Sequence, residues 1–294
     1  MYYRRKVILA LLESFGGEMN KISFQKLLFL FAQQQQIPAF DFVPYKQGCF
    51  SFQSYADMRT MLKYAQVSEE KEKWIKTDET SYIGQLKPGD QAVLTQISQS
   101  YRNSTANDLI SLTYKNYPYY ALKSIIAHKF LSSEEMSMVA KTVRANTKTI
   151  LYTIGYEGVS LETYLNKLIL NDVKVLCDVR KNPLSMKYGF SKTQLKNACE
   201  GLGIVYVHIP DLGIDSDKRQ SLVTQNDYNR LFVQYERTTL KTNHDAVGEV
   251  FDLLLKHKRI ALTCFEADQC QCHRGTLAKA ISGLPEWKYE LKHL

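Results

Sequence analysis

Up to about residue 125 the apolar positions fall at helical spacing, whereas from Thr149 onward short unbroken apolar runs alternate with amphipathic stretches. In "RRKVILALLESFG", Val7, Ile8, Leu11, Leu12 and Phe15 form a helical pattern that stops at Gly16-Gly17. "SFQKLLFLFAQQQQ" is apolar nearly all round, which predicts a buried central helix with Ser23 as its N-cap. An aromatic extended piece comes next, then a turn around Lys46-Gln47-Gly48, a third helix and a short strand at "EKWIKTD". Further helices open near "KPGDQAVLTQISQSY" and at Thr105, where Asp108 completes a capping box. Three helices with a small strand pair predict a winged-helix-like domain over residues 1–125. A second capping box, Ser132 to Glu135, opens a connecting helix that leads to a linker near Ala145-Asn146, within a segment spanning 126–148.

The runs "TILYTIGYEG", "DVKVLCDVR", "GIVYVHIP" and "RIALTCFE" read as strands buried on both faces, with a last strand in "KYELKHL". Helices lie between them, capped by Ser160 before "LETYLNKLIL" and by Ser191 before "KTQLKNACEGLG". Strand and helix in alternation predict a Rossmann-like, mainly parallel α/β domain over 149–294. The fold class is thus α/β overall: a helical N-terminal domain joined to a parallel-sheet domain.

Parallel strands all end at one edge, and ligands of such sheets sit there. Chemistry is therefore expected among the residues just behind each strand. The first run leads into Tyr156 and Glu157; the second ends in Asp178, with Arg180, Lys181, Asn182 and Ser185 behind it. The third ends in His208 before Pro210, and the fourth in Cys264, Glu266 and then Cys272-His273-Arg274. Proton movement falls to Glu157, Asp178, His208 or Glu266. Cys264 or Cys272 would act as a nucleophile if a helix N-terminus or a cation lowered its pKa, and Cys272 precedes the helical run "HRGTLAKA". Arg180 and Arg274 are fit to hold an anion, with structural pairing to Asp178, Glu266 or Glu157 as the alternative. Tyr156, Asn182, Ser185 and His273 complete the expected ligand-binding set. Lys181, Lys187 and Lys192 stand at the rim as phosphate contacts or solvated charge, and Phe190 with Tyr156 as base-stacking or core. Cys264, Cys270, Cys272 and His273 are also the residue types of a zinc site. Adjacent Cys272 and His273 should diverge, however, and two separated Cys-x-x-Cys pairs are lacking, so no metal is expected. Without a glycine-rich phosphate loop, neither a nucleoside triphosphate nor a dinucleotide is supported, and no cofactor is expected.

Two stretches are similar to known families. "KISFQKLLFLF", "VPYKQGCFSFQSYADM" and "LKPGDQAVLTQISQSYRNSTANDLISLTYKNYPYY" resemble the Panacea or SocA-like antitoxin domain, with Gly48-Cys49 in place of its Gly-Pro and Tyr114 where that family often has His. This resemblance implies a partner protein for the N-terminal half. "TIGYEG", "DVRKNPLS", "YVHIPDLG" and Cys-x-Glu followed by Cys-His-Arg resemble the family catalogued as domain of unknown function 488, across residues 150–294. It implies a Rossmann-like pocket but no reaction.

Charge and cysteine content sharpen this reading. The net charge is +8, with 19 basic and 13 acidic residues among the first 150 and 19 against 17 thereafter, an excess that suits nucleic acid or a nucleotide as well as plain solubility. Six cysteines, three of them within nine residues, do not form a disulfide framework and point to a reducing cytoplasm. No apolar stretch approaches the ~20 residues of a membrane span, and the N-terminus lacks a cleavage site after its apolar run. The expectation is an enzyme or binding protein for a phosphate-bearing nucleotide or nucleic acid; the alternative is an antitoxin-like or DNA-binding regulator with a ligand-sensing C-terminal domain.

Overall fold

The computed structural model describes residues 1–143, 147–219 and 222–294. They fall into two compact units, Met1–Thr142 and Val143–Leu294. The linker expected at Ala145-Asn146 lies outside the described residues.

In the first unit, α1 (Tyr3–Ser14) ends before Gly16 and Gly17, whose φ angles of +90° and +87° suit glycine. Strand β1 (Glu18–Asn20) leads directly into α2 (Lys21–Gln34). Phe24 and Leu27 through Ala32 are all buried, as an all-round apolar helix must be. Its N-cap is Asn20, whose side chain accepts from the Ile22 amide at 2.9 Å, and not Ser23; the end of β1 fixes where the helix starts. Strands β2 (Val43–Tyr45) and β3 (Gly48–Phe50) form a hairpin, followed by α3 (Phe52–Lys63), β4 (Val67–Glu70) and β5 (Lys73–Lys76). β1, β5 and β4 make an antiparallel sheet in that order. Helices α4 (Pro88–Tyr101) and α5 (Ala106–Asn116) come next, the latter with the expected Thr105–Asp108 capping box. Helix α6 (Ser133–Lys141), read from sequence as a connector, packs with this unit: its Val139 is buried in a cluster with Ile110, Tyr114, Ala121 and Leu131.

In the second unit the chain runs β6 (Ile150–Gly155), α7 (Leu161–Leu170), β7 (Val175–Asp178), α8 (Lys192–Gly201) and β8 (Val205–His208). It continues through α9 (Gln225–Tyr235), α10 (His244–His257), β9 (Arg259–Cys264), α11 (His273–Ser282) and β10 (Glu290–His293). The sheet is parallel throughout, in the order β10-β6-β9-β7-β8. Strands β6, β7 and β9 are buried at every residue, but β8 and β10 are edge strands with partly exposed positions. Leu151, Val175, Cys177, Ile260 and Leu262 pack one face against α10 and α11. On the opposite face Tyr164 of α7 donates to Thr263 of β9 at 2.7 Å. Ser160 caps α7 as expected. Ser191 stands at the N-cap position of α8 as expected, but its hydroxyl donates to the Ser185 carbonyl and accepts from the Ser185 amide, closing the loop after β7 instead of bonding the helix. Because the chain leaves β6 and β9 toward opposite faces, a crevice opens between their carboxyl ends.

Candidate functional site at the strand ends

Strand register sets the row of chemistry. Gly155 pairs with Cys264, Asp178 with Thr263, and His208 with Asp178. Gly155 is required for close approach: a Cβ there would lie 1.9 Å from the Glu266 carbonyl oxygen. The amides of Tyr156 and Glu157 both donate to the Phe265 carbonyl, which stitches the loop after β6 to the loop after β9.

Beside this stitch lies a cavity of about 310 Å³ lined by Tyr156, Arg180, Lys181, Asn182, Leu184, Ser185, Met186, Ile214, Cys264, Phe265 and Glu266. Six of these were expected from the sequence, and Lys181 was expected at its rim. Leu184, Met186, Ile214 and Phe265 were not, because loop apolar residues carry no periodic signal. A second hollow, about 230 Å³, contains Glu157, Glu266 and His273 among its walls.

Asp178 and Arg180 hold the loop after β7. Asp178 is fully buried and accepts from Arg180 Nε at 2.8 Å, Arg180 Nη2 at 2.5 Å and the Tyr206 hydroxyl at 2.5 Å. Arg180 Nη1 donates to the Tyr156 hydroxyl at 2.7 Å and to the Phe190 carbonyl at 2.9 Å. Burial opposes the Arg180 charge, but Asp178 outweighs it and raises the guanidinium pKa. Burial and Asp178 together likewise raise the pKa of Tyr206. Arg180 thus makes the pairing with Asp178 that the sequence held as the alternative, and it also lines the cavity. Two residues apart at a strand end, the two side chains emerge on the same side.

Arg274 is also a tie. Its Nη1 donates to the Glu266 carbonyl at 2.5 Å and its Nη2 to the Ala267 carbonyl at 2.9 Å, while Nε is buried without a partner among the described residues. The Glu157 carboxylate accepts from the Ala267 amide at 3.0 Å and clamps the same loop. His208 is held between the Arg180 carbonyl, 2.9 Å from Nε2, and the Lys192 ammonium, 3.0 Å from Nδ1. It does not line the cavity, and neither does Asp178. Both support the loop after β7 through these hydrogen bonds. Tyr156 stacks on Phe190 at 4.2 Å and is 2% exposed, so its ring is core rather than a platform for a base. Lys187 donates to the Tyr156 carbonyl, and burial lowers its pKa.

Around Cys264 the sequence-marked residues do converge. Its sulfur lies 3.2 Å from Glu266 Oε2 and 3.7 Å from His273 Nδ1. Ligand-type atoms of Cys264, Cys272 and His273 all fall within 4.8 Å of one another, with all three residues buried. The divergence expected of Cys272 and His273 is absent, because the backbone switches from extended at Cys272 (φ −131°, ψ 133°) to helical at His273. Cys272 is the N-cap residue of α11, yet burial, followed by the neighbouring Cys264, pushes its thiol well above the usual range rather than below it. Cys270 is exposed and stands apart from the cluster.

The second unit is thus an open parallel α/β domain with its side-chain chemistry gathered at the carboxyl edge of the central strands. Residues 160–281, from α7 to α11, match the family described as Domain of unknown function DUF488. The match takes in Asp178, Arg180, His208 and the Cys264 to Arg274 segment; Tyr156 and Glu157 precede it. No curated protein and no solved structure matches the chain. Among the described residues, no helix is long and apolar enough to cross a membrane.

Proposed function

We propose that the second unit is an enzyme acting on a small polar, phosphate-bearing ligand of nucleotide size seated in the strand-end cavity. The observation that carries this reading is the placing of the Glu266 carboxyl and the Cys264 thiol in a 310 Å³ cavity whose wall also bears Lys181, Asn182 and Ser185. The volume lies within the ~300–1,000 Å³ typical of small-ligand sites. Lys181 is 44% exposed and lies 3.7 Å from the still more open Asp211, so its charge remains available to an anion. Glu266 is the proton-moving residue and Lys181, Asn182 and Ser185 the contacts for the ligand. The test is a thermal-shift and calorimetric panel of nucleoside mono- and diphosphates and short oligonucleotides on the full chain. A saturable ligand whose affinity falls about tenfold in Lys181→Ala, the loss of one charged contact of roughly 1.4 kcal/mol, is the expected result. Glu266→Gln should keep that ligand but lose its turnover. A panel without any saturable binder overturns the reading.

A second reading concerns the first unit, as a module for a partner protein. A hollow of about 350 Å³ there is lined by Tyr45, Phe50, Tyr55 and Trp74 together with Lys21 and Lys46. Aromatic residues gathered in one concave patch are of the type enriched at protein-binding sites. The antitoxin-like resemblance of the sequence, and the grouping of helices α1 to α5 with the small sheet β1-β5-β4 in one unit, support the same reading. Its test is whether a fragment of residues 1–142 forms a stable complex with the product of an adjacent gene.

A further inference from the structure

Two thiols and an imidazole converge in one buried cluster, their ligand-type atoms within 4.8 Å of one another. We propose that Cys264, Cys272 and His273 hold a zinc-class divalent cation, with the fourth position taken by water beside Glu266. The inference is independent of which ligand fills the cavity.

The geometry carries it. A carbonyl oxygen can only accept, so the 3.0 Å contact between His273 Nε2 and the Val179 carbonyl places the ring hydrogen on Nε2. Nδ1 therefore presents its lone pair toward Cys264 Sγ, 3.7 Å away. A tetrahedral ion with sulfur at ~2.3 Å and nitrogen at ~2.0–2.1 Å has a sulfur–nitrogen edge of about 3.6 Å. A backbone carbonyl fixing the distal nitrogen is also the usual outer support of a metal-bound histidine. Cys264 ends the central strand β9, Cys272 caps α11 and His273 opens it, so all three ligands stand on rigid elements rather than on the loop between them. Two thiolates would neutralise the dication, which makes its burial acceptable where a lone charge would not be.

Three protein ligands with one water position is the pattern of catalytic rather than structural zinc, and two Cys with one His is one of its forms. With its carboxylate 3.2 Å from the Cys264 sulfur, Glu266 would be the group to accept a proton from water held on such an ion. Cys264 and Glu266 also line the main cavity, and Glu266 and His273 line the second hollow. The cluster lies between the two.

The experiment uses the full chain, reduced, stripped of metal by a chelator and titrated with Co²⁺ and then Zn²⁺. One equivalent of Co²⁺ should bind with the intense visible and thiolate charge-transfer absorption of a tetrahedral site, and Zn²⁺ should bleach it. Cys264 and Cys272 should then resist alkylation, mapped by mass spectrometry. Cys270→Ser should bind as the parent does. Cys272→Ser and His273→Ala should weaken binding beyond the ~10–100-fold that loss of an outer partner causes. The proposal is overturned if the reduced parent chain retains no zinc and gives no thiolate–cobalt absorption, a result that needs no variant to fold. Binding lost in Cys270→Ser but kept in Cys272→Ser overturns the ligand assignment as well.

Discussion

At the scale of single residues, the side chains most prominent in the sequence divide into those that hold loops and those that meet the cavity. Asp178 has no exposure and three side-chain donors on its carboxylate, so replacing it with Asn leaves the Arg180 guanidinium buried beside a neutral group. Breaking a buried pair from one side costs about 3–5 kcal/mol, and urea denaturation of Asp178→Asn should show a loss of that size. Tyr206→Phe should cost only ~1 kcal/mol, one hydrogen bond's net worth. A loss under ~1 kcal/mol in Asp178→Asn would mean that the pair is not a structural tie. The sequence placed both residues at the right strand end, but it left open whether Arg180 faced a ligand or its neighbour. The Tyr206 hydroxyl and the Phe190 carbonyl, 28 residues after Asp178 and 10 after Arg180, decide that question, and no local pattern announces them.

At the scale of elements, what was legible was what is local. Capping boxes join residues three apart, and both Thr105–Asp108 and Ser132–Glu135 form as written. Ser23 is not the N-cap of α2, and Ser191 holds the N-cap position of α8 without bonding the helix through its hydroxyl, both because of contacts outside those helices. The first was displaced because β1 pairs with β5 and delivers Asn20 to the start of α2; the second was diverted to the Ser185 backbone. Asn20→Ala should therefore destabilise the first unit by ~1 kcal/mol, the usual worth of an N-cap, whereas Ser23→Ala should change little. Thermal unfolding of the two variants side by side checks this; equal effects would show that the helix start is set otherwise. The strands of the second unit were legible because β-branched apolar runs reveal burial on both faces. In the first unit β5 was read at "EKWIKTD" and the β2–β3 hairpin only as an extended piece with a turn, whereas "EMN" of β1 and "VSEE" of β4 carry no apolar alternation to mark them.

At the scale of the whole molecule, the change of sequence grain near residue 149 coincides with the passage between units, and each unit has a hydrophobic core of its own. A fragment of residues 147–294 should consequently fold alone, with a single cooperative urea transition and the same Co²⁺ absorption as the full chain. A non-cooperative transition would show that the second unit needs the first. Sequence could name the members of the candidate site but not their grouping. Cys264 and Cys272 are eight positions apart, and only the turn from extended to helical backbone at Cys272-His273 brings their sulfurs and the imidazole together.

The loop from Phe265 to Gln271 is secured largely through main-chain atoms: the Phe265 carbonyl to two amides, the Glu266 and Ala267 carbonyls to Arg274, and the Ala267 amide to Glu157. Any amino acid supplies those carbonyls, and any but proline supplies the Ala267 amide. Mutational drift can thus rewrite the side chains between Glu266 and Cys272, Cys270 included, without dislodging the residues at either end. New side chains there would leave the backbone path in place, whereas Gly155, Glu157 and Arg274 hold that path and are not interchangeable.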